Sequence, residues 1–211
     1  MTRIAIIDYG MGNLRSVERA LRRVAPQADI VVTDQVARLR RAERVVFPGQ
    51  GALPDCMKHL EERGLVEVVQ ELMHTRPFLG ICLGLQALFD HSEEGNTRGL
   101  ALLRGKVLRF QDDNFEDDGA RLKVPHMGWN EVHPVGDHVL WQGIPAGSRF
   151  YFVHSYYVRE EDARHRAAYS DYGIRFTSAA VAGNLFAVQF HPEKSASNGL
   201  ALLSNFVRWN P

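Results

Sequence analysis

Gly80-Ile81-Cys82-Leu83-Gly84 holds the side chain best placed to do chemistry. It follows a short apolar run, Phe78 to Ile81, and opens a segment, Leu83 to Phe89, whose composition predicts a helix. This is the cysteine counterpart of the Gly-x-Ser-x-Gly elbow, in which a nucleophile sits on a strained strand-to-helix turn. The flanking glycines remove the Cβ atoms that would collide where strand and helix pass closely. A helix starting at Leu83 sets unpaired N–H groups and a positive dipole end beside the sulfur, favouring thiolate. The Leu83 N–H is then a candidate oxyanion donor. The other cysteine, Cys56, lacks such flanks and reads as structural.

A cysteine nucleophile needs a base and a group that orients the base. His91 and His191 each begin a His-x-Glu triplet, His91-Ser92-Glu93 and His191-Pro192-Glu193. A helix from Leu83 would carry His91 about 13 Å along its axis, away from the sulfur. His191 instead follows the apolar run Leu185 to Phe190, at the carboxyl end of a predicted strand, where open α/β sheets build their sites. Pro192 biases His191 toward extended backbone, so His191 and Glu193 are expected on one side, giving Cys82, His191 and Glu193 as a triad. Phe47-Pro48-Gly49-Gln50-Gly51, after the run Val45 to Phe47, adds a loop whose backbone at Gly49 and Gln50 could hold an oxyanion.

Cofactor and metal motifs fail, so neither is expected. Gly10-Met11-Gly12 follows a strand, but Arg15 stands where the dinucleotide fingerprint needs a small residue. Cys56-x-x-His59 has no second ligand pair at zinc-like spacing. The acidic cluster Asp112, Asp113, Glu116, Asp117 and Asp118 is not spaced like a calcium loop and reads as a solvated hairpin tip.

Apolar runs at Ile4 to Ile7, Ile30 to Val32, Val45 to Phe47, Phe78 to Ile81 and Leu185 to Val188 read as buried parallel strands. Leu14 to Val24, Leu65 to Met73 and about Ser197 to Trp209 have helical spacing. From Gly99 to about Tyr157 the pattern changes to short strands such as Lys106 to Phe110 and Arg149 to Val153, read as antiparallel additions. The expectation is one α/β domain over residues 1–211, an open, mostly parallel twisted sheet with helices on both faces. With 25 basic and 25 acidic residues among 211, there is no overall attraction to nucleic acid or to an anionic membrane. Two cysteines, no spanning apolar run and no signal-peptide layout in Met1 to Tyr9 point to a cytoplasmic protein.

Pro48-Gly49-Gln50-Gly51, Gly80 to Gln86 and His191-Pro192-Glu193, in this order and separation, resemble the class I (triad) glutamine amidotransferases across nearly the whole chain. Within them, Asp8 to Leu14, Val124 to Asn130 and Tyr151 to Tyr157 are most similar to the glutaminase subunits of imidazole glycerol phosphate synthases. The resemblance implies that Cys82 attacks the amide of glutamine, that His191 carries a proton to the departing ammonia, and that Glu193 orients His191. It implies that Gln86 helps hold glutamine, with Ser155 and Tyr156 meeting its amino-acid end and Gly51 and Glu94 contributing. The family often has an aliphatic residue where this chain has Gln50, a change that backbone donors tolerate. The implied partner is a (β/α)₈-barrel cyclase subunit that receives the ammonia, in a heterodimer. As apolar side chains, Met127 and Trp129 are expected in the core; the resemblance assigns their segment, with Met11 and Asn13, to the docking face. It also implies an isolated subunit that is nearly idle until a ligand-bound partner reorients the Pro48 to Gly51 backbone.

Overall fold

The computed structural model describes residues 1–111 and 121–211, so the acidic cluster at 112–118 lies outside the described residues. The chain runs β1 (Arg3–Ile7), α1 (Leu14–Val24), β2 (Asp29–Thr33), α2 (Val36–Arg40), β3 (Arg44–Gly49), α3 (Leu53–Glu62), α4 (Val66–Thr75), β4 (Phe78–Cys82) and α5 (Leu83–Gln86). It continues through β5 (Phe89–Ser92), β6 (Thr97–Arg98), β7 (Leu103–Arg109), β8 (His126–Pro134), β9 (Ser148–His154), β10 (Tyr156–Glu160), β11 (Arg166–Asp171), β12 (Arg175–Ala182), β13 (Leu185–Val188) and α6 (Ala196–Arg208).

Five strands in the order β2-β1-β3-β4-β13 form a parallel half-sheet, and β12, β10 and β7 extend it with antiparallel pairing. Alternation along the parallel strands divides the core in two. Ile4, Ile6, Val46 and Ile81 face a layer made with Val17 and Leu21 of α1 and Leu203 and Phe206 of α6. Ala5, Ile7, Val45 and Phe47 face the opposite layer, made with Leu60 of α3 and Val69 and Leu72 of α4. A strand buried on both faces can carry apolar side chains in both directions, which is why these runs are continuous rather than alternating. Asn13 caps α1 by accepting the Ser16 N–H at 3.3 Å.

Two expectations are corrected. The helix after Cys82 is one turn, Leu83–Gln86, and not Leu83 to Phe89. Phe89 starts β5, which pairs with β7, while the Ala87 carbonyl accepts the Leu100 N–H at 2.7 Å. Tertiary pairing overrides local helical preference there, and His91 lies on β5 rather than on a helix. The second concerns α3, which the helical spacings of the sequence did not include. Leu53, Cys56, Met57 and Leu60 are its buried positions, at helical spacing, and the proline at its start is compatible with a first turn.

Candidate active site

β4 is flanked by β3 and β13, and the ends of these three parallel strands bring the predicted groups together. Cys82 ends β4 with φ 56° and ψ −107°, a conformation that β-carbon-bearing residues rarely adopt. The turn depends on its glycines. A Cβ on Gly80 would lie 2.9 Å from the Ala187 Cβ, and one on Gly84 would lie 2.0 Å from the Phe47 carbonyl oxygen. In the β3–β4 register Gly49 pairs with Cys82, so the glycine loop begins directly beside the nucleophile. Because α5 is a single turn, it supplies free N–H groups at Leu83 but not the summed dipole of a long helix.

His191 follows β13 with extended backbone, φ −104° and ψ 96°. The expected shared side of an extended His-Pro-Glu is replaced by a tighter device. Pro192–Lys194 forms a 3₁₀ turn, and across it His191 Nδ1 meets Glu193 Oε1 at 2.8 Å. Both side chains are buried, at 2% and 1% exposure. Glu193 as a carboxylate only accepts, so Nδ1 carries the proton and Nε2 is left for the sulfur. Burial opposes charge on His191, but the Cys82 sulfur and the Glu193 carboxylate outweigh it and push its pKa up to about 10. Backbone bonds bolt the turn to β9: the His191 N–H donates to the Tyr151 carbonyl at 2.9 Å, and the Tyr151 N–H donates to Ser195 Oγ at 2.9 Å.

Cys82 and His191 open into a cavity of about 450 Å³, in the size range of small-molecule sites. Leu83, Gln50, Gly51, Gln86, Glu94, Ser155 and Tyr156 line it, so the sequence-derived substrate residues converge there. Gly49 and Glu193 lie instead along a narrow cleft with Asn13 and His191. Glu94 has a structural task as well, since its Oε2 accepts the Leu53 N–H at 2.8 Å and so caps α3. Burial pushes its carboxyl up, against the opposing effect of that N–H. Met11 packs over the glycine loop: a Cβ on Gly51 would lie 2.6 Å from its Cε. Met127 and Trp129 are 61% and 50% exposed on β8, which corrects their expected burial as apolar side chains.

Three groups at the site have no role assigned from the sequence. Lys194 lines the cavity, directly after the His-Pro-Glu triplet. Gln189 sits two residues before His191, just beyond the end of β13, with its Nε2 3.6 Å from Cys82 Sγ. His154 also lines the cavity and is bonded to buried His126, Nε2 to Nδ1 at 2.9 Å. His154 Nδ1 meets the Tyr156 carbonyl at 2.7 Å, so it carries the proton. His154 Nε2 therefore accepts from His126 Nδ1–H, leaving His126 Nε2 to accept from Asn130 Nδ2 at 3.3 Å.

This neutral pair makes the fold acid-labile. Burial lowers the pKa of His126 to about 4; burial and then the neighbouring His126 lower that of His154 to about 3. The native state thus binds fewer protons than the unfolded chain below the ordinary histidine pKa of about 6.5. Stability is complete above that pH and declines as pH falls toward 4 and 3. Thermal unfolding between pH 7 and pH 4 should show a steep fall in Tm, and a shallower one in His126→Phe, whose ring retains the stacking between Phe152 and Tyr172. Equal slopes would contradict the assignment.

The family described as glutamine amidotransferase class-I matches residues 5–209. The chain belongs to the class I glutamine amidotransferases. The amidotransferase is 59% identical over its full length, and the relative's, to "Imidazole glycerol phosphate synthase subunit HisH" of Aromatoleum aromaticum. It is 58% identical, again over all of both chains, to the protein of the same name in Nitrosospira multiformis. To that of Thiobacillus denitrificans it is 56% identical, over 99% of this chain and 92% of the relative. Similarity at this level over the whole length makes it an amidotransferase of the HisH type. Solved structures share the fold at low identity. PurLQS from Thermotoga maritima superposes with a TM-score of 0.72 at 15% identity, covering 98% of both chains. A glutamine amidotransferase from the same organism gives 0.62 at 19%, covering 93% of this chain and 78% of that one.

Proposed function

We propose that the amidotransferase, as one domain over residues 1–211, hydrolyses glutamine at Cys82 and delivers the ammonia to the cyclase subunit of an imidazole glycerol phosphate synthase in histidine biosynthesis. The observation that carries this is the strained Cys82 lining the cavity together with a histidine held by a buried carboxylate. The thiolate attacks the amide carbon, and the oxyanion is held by the Leu83 N–H with backbone of Gly49 and Gln50. His191 Nε2–H protonates the leaving nitrogen as the carbon–nitrogen bond breaks, releasing ammonia and a glutamyl thioester. Water then attacks the thioester, His191 takes its proton, and glutamate leaves with the thiolate restored. Glu193 holds the imidazole in the required tautomer and stabilises its charged form. Gln86, Glu94, Gly51, Ser155 and Tyr156 hold the substrate. No cofactor takes part.

The relatives are named as a synthase subunit, and the partner in this reading is a (β/α)₈-barrel cyclase bound as a heterodimer in the cytoplasm. Among the described residues, no helix is long and apolar enough to cross a membrane. Exposed Met127 and Trp129 offer an apolar docking patch, with Met11 and Asn13 nearer the glycine loop. Trp129 pairs in register with Tyr151, whose carbonyl holds the His191 N–H, so pressure on the patch reaches the triad through two strands. The test is glutamate release by the purified chain, alone and with the cyclase and its ribonucleotide ligand. Strong stimulation is expected, and Trp129→Asp should remove most of it without lowering Tm. Equal rates with and without the ligand-bound partner would sink the coupling, and stimulation by a different acceptor enzyme would reassign the pathway.

A further inference from the structure

We infer that Gln189 is a positioning residue of the glutaminase reaction, holding the nucleophilic sulfur with one end of its amide and Gln86 with the other. The inference rests on the proposed role of Cys82. Gln189 is wholly buried, and its backbone N–H donates to the Ser178 carbonyl at 2.9 Å, which fixes the side chain's origin just beyond β13. Its Nε2 lies 3.6 Å from Cys82 Sγ, and its Oε1 lies 3.0 Å from Gln86 Nε2. Gln86 Nε2 also meets the Tyr156 carbonyl oxygen at 2.9 Å.

The donor and acceptor inventory decides which way each amide points. A carbonyl oxygen only accepts, so Gln86 must present nitrogen to Tyr156. Both hydrogens of that nitrogen are then committed, one to Tyr156 and one to Gln189 Oε1. With its oxygen engaged, Gln189 has only N–H to offer the sulfur. Two consequences follow. Gln86, which lines the cavity, retains its own carbonyl oxygen as the free acceptor of its amide, the polarity that suits the α-ammonium group of glutamine. The sulfur has a donor that strengthens its hold as charge develops on it and relaxes when the thioester forms. The amide of Gln189 thus couples the orientation of the substrate clamp to that of the nucleophile, a double task that neither an apolar residue nor a carboxylate can perform.

The two contacts separate in two variants, assayed in the complex with the ligand-bound partner. Gln189→Leu loses both and should raise the KM for glutamine about tenfold while lowering kcat, the loss of one buried amide contact. Gln189→Glu keeps an acceptor for Gln86 but puts oxygen toward the sulfur. It should hold KM within about twofold and lower kcat about tenfold or more, the effect of losing a hydrogen bond to a charged group. It should also slow alkylation of Cys82 by iodoacetamide in the chain without glutamine. In a Gln86→Ala background Gln189→Leu should add nothing to KM. Gln189→Met replaces Gln189→Leu if the latter's Tm shows it unfolded. Parent-like kcat and KM in folded variants, or additive KM effects with Gln86→Ala, would overturn the inference. Failure of the underlying reading shows separately, as a parent complex that releases no glutamate or a Cys82→Ser complex that does, and the alkylation comparison still reports on the contact between Gln189 and the sulfur.

Discussion

Cys82→Ser, assayed for glutamate release in the partner complex, will be slower than the parent by at least ~10³-fold, the scale of losing a nucleophile from a triad. The substitution keeps the size of the side chain and the strained backbone but exchanges a readily ionised thiol for a hydroxyl. The imidazole that serves a thiol is tuned to hold its proton: His191 is pushed up to about 10 by the sulfur and Glu193, against the effect of burial. A serine hydroxyl is a far weaker acid than a thiol and must give up its proton as it attacks, and the variant also loses the sulfur that helps raise His191. The variant should bind glutamine and partner and keep the parent Tm, because Cys82 is buried at an elbow that the oxygen also fits. Residual activity within tenfold of the parent would remove Cys82 from the nucleophile's role.

Gly84→Ala will be among the most damaging single-methyl additions at the site. The added carbon would sit 2.0 Å from the Phe47 oxygen and 3.2 Å from its carbonyl carbon, and Phe47 is buried in β3. Neither is the tip of a flexible side chain, so α5 must move off the sheet or β3 must shift. Overpacking of this kind costs about 1–3 kcal/mol, and more where backbone blocks relief. The same shift breaks the Gly49–Cys82 pairing, so activity should fall further than stability does. Gly183→Ala is the control, with a φ of +54° and nothing within 4 Å of the added carbon; it should cost only about 1 kcal/mol. Urea denaturation of both variants measures the difference, and similar midpoints would show that the close approach of α5 to β3 does not hold the elbow.

The parts legible in the sequence share one property: their signal is local. β1, β3, β4 and β13 are buried on both faces and therefore read as unbroken apolar runs, half-buried β2 keeps the run Ile30 to Val32, and α1 shows its buried stripe in Val17, Ala20 and Leu21. The elbow and the His-Pro-Glu triplet are compact motifs whose residue types are dictated by steric and acid–base need. What was not legible depends on partners far along the chain. The one-turn α5 ends where it does because residues near Leu100 and β7 claim the next segment. In the antiparallel half β9 shows in the sequence as Arg149 to Val153, whereas β8 does not, since it leaves Met127 and Trp129 in solvent while burying His126 beside His154. Gln189 carries no motif of its own; its meaning comes from Gln86 and Cys82, 103 and 107 residues away.

The most direct test of the central claim is to quench the partner complex in acid during turnover of glutamine and weigh the intact chain. The account predicts a mass increase of one glutamyl group, located at Cys82 by peptide mapping, labile to mild base, and absent from Cys82→Ser. Steady glutamate release with no acyl adduct at Cys82, or an adduct on another residue, would contradict it.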